Sequence, residues 1–192
     1  MASEVDICNR ALQKLGAATI VALDEESVEA RECNACYETL RDAELRAHVW
    51  NFSIARAELA ADSSATGPAW GRARSFQLPA DFLRLADDYP EDVVNDKDWI
   101  IEGRKILTDD ADPIYIRYVK KVTDPEDMDV MFREVLASRI AKELCERLTQ
   151  SNTKMAALND DYRFWVKEAK KVNAFEQVSA EPQEDTWITA RA

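Results

Sequence analysis

The feature that most constrains this chain lies between Phe132 and Val172. Phe132, Leu136, Ile140, Leu144 and Leu148 recur at intervals of four. Met155, Leu158, Tyr162, Trp165, Ala169 and Val172 then step by three and four. Such spacings place each set on one face of a helix. Only "TQSNTK" separates the two ladders, and Ser151 or Asn152 can cap the second. Two amphipathic helices on so short a connection bury their apolar faces by folding back as an antiparallel hairpin. The pattern predicts helices over 124–149 and 152–177. Thr123 or Asp124 is the expected N-cap of the first, with Pro125 at its first helical position.

The N-terminal region repeats the helical signal. Val5, Cys8, Leu12 and Leu15 define a helix over 3–15, with Ser3 and Asp6 as its capping pair and Gly16 as its stop. A second helix is expected over 24–50, starting near Asp24 or Ser27, with Val28, Cys33, Tyr37, Leu40 and Ala47 on one face. The middle of the chain, 51–120, differs: it holds Gly67, Gly71 and Gly103, three of the four glycines. Phe52 to Ala55 alternates like a half-buried strand, Ser75 to Leu78 reads as another, and "WIIEGRKILT" reads as a hairpin turning at Gly103. Along "PIYIRYVKK", Ile114, Ile116 and Tyr118 alternate with Tyr115, Arg117 and Val119. These elements predict a mainly α fold in a single domain, 1–192: a four-helix bundle with an inserted small antiparallel β-sheet or hairpin. An extended C-terminal tail, 178–192, follows it.

Charge narrows the function. Asp and Glu total 37 against 25 Lys and Arg, a net charge of -12. That surplus repels polyanions and argues against binding DNA or RNA through phosphate neutralisation. There is no apolar run of the roughly eighteen residues that a membrane span requires. The acidic start, Met1-Ala2-Ser3-Glu4, does not look like a signal peptide, and the four cysteines do not form a secreted disulfide framework. A reducing cytoplasm is the expected place of synthesis.

No constellation in the sequence points to catalysis. "CNAC", Cys33 to Cys36, lies inside a charged helix with Glu29 and Glu32 beside it. A redox pair would sit at a helix N-terminus, where the thiol pKa falls, so these read as core or neutral cysteines. His48, the only histidine, has Arg46, Ala47, Val49 and Trp50 as neighbours rather than a nucleophile or an orienting carboxylate. It suits a helix C-terminus. Asp87, Asp88, Glu91 and Asp92, with Asp109, Asp110 and Asp112, lack the spacing and central glycine of a calcium loop. The expectation is no catalytic, cofactor or metal site. Trp187-Ile188 is different: an apolar pair in a polar terminal segment suits a partner anchor, or a tail docked on its own domain.

Three stretches carry a resemblance. "LRAHVWNFSIARAEL" resembles the helix-to-strand junction of phage head-to-tail adaptors of the tail tubular protein A type. A Trp-Asn-Phe turn and Ala-Arg-x-x-Leu strand there correspond to Trp50, Asn51, Phe52, Ala55, Arg56 and Leu59. "FQLPADFLRL" is similar to the family's Leu-Pro-x-Asp segment. The stretch from Ile114 to Thr149 is similar to its strand, Asp-Pro cap and long helix. "ICNRALQKLG" resembles the first helix, so the likeness runs to about Gln177.

The resemblance implies a non-enzymatic virion protein of the tail or neck, assembled in the host cytoplasm. It would form a ring with itself, usually a dodecamer, beneath the portal protein. DNA would pass through the lumen without specific binding, and tail tube, nozzle or fibre proteins would attach below. No cofactor and no membrane is implied. A non-viral helical interaction module is the alternative, and a metal enzyme using the acidic loops near Asp87 and Asp109 is a further one.

Overall fold

The computed structural model describes residues 2–62, 68, 70–86, 99–110 and 112–176. Helix α1 (Glu4–Leu15) opens with a capping box. The Ser3 side chain accepts from the Asp6 N–H, and the Asp6 carboxylate accepts from the Ser3 N–H. It stops at Gly16, whose φ of 68° lies in the left-handed region that a Cβ disfavours. Ile7, Cys8, Ala11, Leu12 and Leu15 are buried.

Helix α2 spans Val28–Ala47, not 24–50, and Ser27 is its N-cap. The residues before it are held otherwise, because the Glu25 carboxylate turns back to accept from the Val21 and Ala22 N–H groups. Its buried face is Ala30, Cys33, Tyr37, Leu40, Arg41, Glu44 and Leu45. Val28 and Ala47, expected on that face, are exposed at the helix ends.

Helix α3 spans Val130–Thr149 and begins six residues later than the Asp-Pro signal suggested. Asp124 and Pro125 instead accept from Asp127 and Met128 in successive turns. The cap is Asp129, which accepts from the N–H groups of Met131 (2.7 Å) and Phe132 (3.3 Å). Helix α4 spans Asn152–Phe175 with Ser151 as N-cap. It packs on α3, and α3 also packs against α1 and α2. Leu136, Ile140 and Leu144 of α3 thus lie at the centre of the helical layer.

The described residues hold six strands in two sheets. They are β1 (Ile54–Leu59), β2 (Arg74–Gln77), β3 (Phe82–Leu85), β4 (Ile100–Glu102), β5 (Lys105–Thr108) and β6 (Ile114–Lys120). One antiparallel sheet has the order β1-β6-β3 and the other β2-β5-β4. Phe76 and Ile106 of the second sheet share a core with Leu59, Leu85, Ile116 and Tyr118 of the first. This overturns the expectation of a mainly α four-helix bundle carrying one small sheet or hairpin. With 51% of the described residues in helix and 19% in strand, this is a mixed α/β fold with two cores. The physical reason is non-local pairing: β6 joins β1 through Ala57↔Ile116 and β3 through Leu85↔Tyr118, partners far apart in sequence. Val49, Ala86 and Val119, with Ile54 and Leu83 against them, form the apolar seam between helical layer and sheets.

Candidate functional site

The Trp50–Phe52 junction sits where α2, α3, α4 and β1 meet. His48 leaves α2 in extended conformation, with φ −144° and ψ 157°. Trp50 then turns inward and is 3% exposed. Its Nε1 donates to the Glu44 carbonyl at 3.0 Å, so the one polar atom of the indole is satisfied. Phe132 meets the indole edge-on at 5.2 Å between ring centroids, and Phe52 tilts onto Phe132 at 5.1 Å. His48 rests edge-on against Trp50 at 4.8 Å. The histidine therefore does more than end a helix: it packs over the indole.

Asn51 has a wider role than the turn residue expected from sequence. Its N–H donates to Asn173 Oδ1 and its Nδ2 donates to the Asn173 carbonyl, both at 2.8 Å. Asn173 in turn donates through Nδ2 to the Val49 carbonyl at 3.1 Å. Asn51 Nδ2 also reaches Glu176 Oε2 at 3.1 Å. The last turn of α4 is thereby clamped to the junction. Arg56 is farther along β1, exposed and in register with Arg117 of β6. Trp187 and Ile188, the expected partner anchor, lie outside the described residues, as do Asp87, Asp88, Glu91 and Asp92.

Two part-buried polar networks hold the helices in place. Glu44, on α2, accepts from the Tyr162 hydroxyl of α4 at 2.8 Å and faces Arg139 Nε of α3 at 3.7 Å. Burial first, and then the Glu44 carboxylate, push the Tyr162 hydroxyl up. Asp161 of α4 accepts from Lys14 of α1 (2.7 Å), Ser138 of α3 (2.9 Å) and Trp165 (3.1 Å). Burial works to raise its carboxyl, but these three donors outweigh it and hold the group below the usual carboxylate range.

The cysteines and the described acidic residues of the loops sit among local partners. Cys8 and Cys33 are fully buried, and Cys36 Sγ donates to the Cys33 carbonyl at 3.5 Å. Burial, followed by Cys33 and Glu143, pushes the Cys36 thiol up to about 12. The Cys8 thiol is raised by its hydrogen bond with Cys33 and by burial. A thiol raised in this way stays protonated at neutral pH and is a poor nucleophile. Asp109 accepts from the Ala73 N–H at 2.7 Å and Arg72 Nη1 at 3.1 Å, and these bonds lower its carboxyl in that order. Asp112 accepts from the Ala61 N–H at 2.8 Å. Among the described residues, no group of three or more His, Cys, Asp or Glu side chains is placed to hold a metal. No described helix is long and apolar enough to cross a membrane.

The folded chain also assembles a feature that the sequence scatters. A groove of about 640 Å³ opens between the end of α2, β3 and the β4–β5 hairpin, with Arg46, Arg84 and Arg104 on its rim. A smaller cavity of about 270 Å³ opens beside Phe52, Val172 and Asn173. Elsewhere on the surface, Phe164 and Phe175 of α4 are 55% and 78% exposed, and Tyr115 projects from β6. No protein-family model and no curated protein matches the sequence.

Proposed function

We propose that this chain is a structural adaptor of a phage neck, a ring-forming protein without enzymatic activity that joins the portal protein to the tail. One observation carries the proposal. The stretch that resembles the adaptor family, Trp50 to Leu59, is the keystone at which α2, α3, α4 and β1 are joined. Residues in that role hold two layers in a fixed relation, which a ring subunit needs in order to repeat the same contacts around an axis. Exposed apolar side chains lie on different elements, among them Phe164 and Phe175 on α4 and Tyr115, Ile100 and Ile101 on the strands. Exposed apolar side chains on several elements suit a subunit with more than one neighbour.

The ring is usually dodecameric in the family that the sequence resembles. Portal protein would bind on one side and tail tube, nozzle or fibre proteins on the other. The net charge of -12 suits a DNA channel, because an acidic wall offers phosphates no counter-ions to exchange and does not slow passage. The protein would act in the virion neck after assembly in the host cytoplasm, without a cofactor. A second reading, a non-viral interaction module, draws on the same exposed α4 aromatics, which would suit a small closed oligomer equally well.

Light scattering separates the two. The purified protein is measured alone and with the portal protein of the same genome. The expected outcome is a fixed multiple of subunits on the portal, each neighbouring pair burying at least about 1,000 Å². A protein that ignores the portal at every ratio and closes as a small oligomer would remove the adaptor proposal and favour the module.

A further inference from the structure

Helix α4 carries two features that fit each other, but not within one molecule. Its outer face is basic in a chain of net charge -12: Arg163, Lys167, Lys170 and Lys171 are all exposed. Spacings of three and four bring Phe164, Lys167 and Lys171 into one row, beside Arg163 and Lys170. Among the described residues, Lys167, Lys170 and Lys171 form no ion pair, and Arg163 reaches only the exposed Asp160, at 3.9 Å. Phe164 is exposed among these cations and braced edge-on by Trp165 at 5.4 Å between ring centroids. Farther along, the same helix lines the cavity of about 270 Å³. Phe52, Met128 and Val172 supply its apolar wall, and Asp127, Asp129 and Glu176 its carboxylates. None of these three carboxylates forms an ion pair among the described residues. Asp129 accepts from two N–H groups and Glu176 from the Asn51 amide, and neutral donors leave the charge in place.

We propose that this cavity is the socket for Phe164 of a second copy of the chain, with Arg163 and Lys167 of that copy against the carboxylates of Asp127, Asp129 and Glu176. Size supports the fit. A cavity of about 150 Å³ takes up benzene, so one of about 270 Å³ admits a phenyl ring. Charge supports it independently, because the exposed ring arrives with two cations and the apolar wall waits with three anions. Plug and socket belong to one helix, and about 12 Å of helix rise separates Phe164 from Val172, so no copy can fill its own socket. The occupant therefore comes from another molecule, and the contact is head-to-tail. Each copy gives its plug to one neighbour and its socket to the other. A heterologous contact of this kind closes as a ring or runs on as a filament, according to the rotation between neighbours. The inference does not rest on the phage reading, because the contact needs neither portal nor DNA.

Analytical ultracentrifugation of the full chain over a concentration series tests it. The wild type is expected to gain mass as concentration rises. Two variants, both at exposed positions, each spoil one side of the contact: Phe164→Ala/Lys167→Glu the plug, and Glu126→Lys/Asp127→Lys the socket. Each alone is expected to associate about tenfold or more weakly than the wild type. Mixed in equal amounts, they are expected to form a dimer and go no further, because the first keeps a sound socket and the second a sound plug. Phe175→Ala, at the other exposed ring of α4, is expected to associate like the wild type. If a charge variant misfolds by circular dichroism, Phe164→Ala alone decides the matter. A wild type that stays monomeric up to about 1 mM overturns the proposal. So does association that survives Phe164→Ala, association lost in Phe175→Ala, or a mixture of the two folded variants that stays monomeric.

Discussion

Trp50 and His48 are two residues apart and touch, yet they contribute differently to stability. The indole is buried against Phe52 and Phe132 with its Nε1 bonded, whereas the imidazole is half-buried and lies across the indole edge. Trp50→Ala is expected to cost about 3–5 kcal/mol, the range for emptying an aromatic site in a core. His48→Ala removes a residue that is only half-buried, and the loss of its edge contact with the indole should cost about 0.5–1.5 kcal/mol. Urea denaturation of the two variants checks this, and equal losses would mean that the junction is not organised around the indole. Asp161 gives a pH signature. Its folded carboxyl titrates below the unfolded value of about 3.9, so between the two values the unfolded state binds more protons. Its contribution is therefore complete above the unfolded value and is lost as pH falls through the folded one. The stability gap between wild type and Asp161→Asn should close over that acid window. A gap independent of pH down to acid unfolding would show that the Lys14, Ser138 and Trp165 bonds do not stabilise the charged form.

At the scale of elements, the Asn51–Asn173 clamp is what fixes the end of α4. Only Leu158 and Ala169 of this long helix are fully buried, so its last turn has little apolar attachment of its own. Asn51→Ala and Asn173→Ala should each cost about 1–3 kcal/mol, since each strands partly buried partners. The double variant should cost clearly less than their sum, because both changes break the same bonds. Full additivity in a double-mutant cycle would dismiss the clamp. The elements also show how far local signals carry. Ser3 caps α1 as expected, and of the paired candidates Ser27 and Ser151 are the caps, because a cap needs only a side-chain oxygen and an N–H two or three residues on. Asp124 and Asp129 offer the same chemistry five residues apart. Sequence does not rank them: Asp129 caps α3, and Met128 just before it is buried in the helical core.

At the scale of the whole molecule, two cores meet at a narrow seam of Val49, Ala86 and Val119. Ile106→Ala, inside the sheet core, should cost about 2–5 kcal/mol. The loss is expected to appear first in the amides of β2, β5 and β6, with α3 keeping its protection until global unfolding. A uniform fall that includes α3 would mean the seam binds both cores into one cooperative unit. By itself, the sequence determined what depends on neighbours a few residues apart. That covers four helices, the Ser3 cap, the stop at Gly16 and the turn of the β4–β5 hairpin at Gly103, where φ is 60°. Periodicity and capping are properties of short windows, so a chain of residues displays them. Tertiary structure alone decided that β6 lies between β1 and β3, that Asn51 finds Asn173, and that three scattered arginines share one groove. Each of these joins residues far apart along the chain. Such partners are selected by which surfaces exclude water together, and no local pattern encodes that choice.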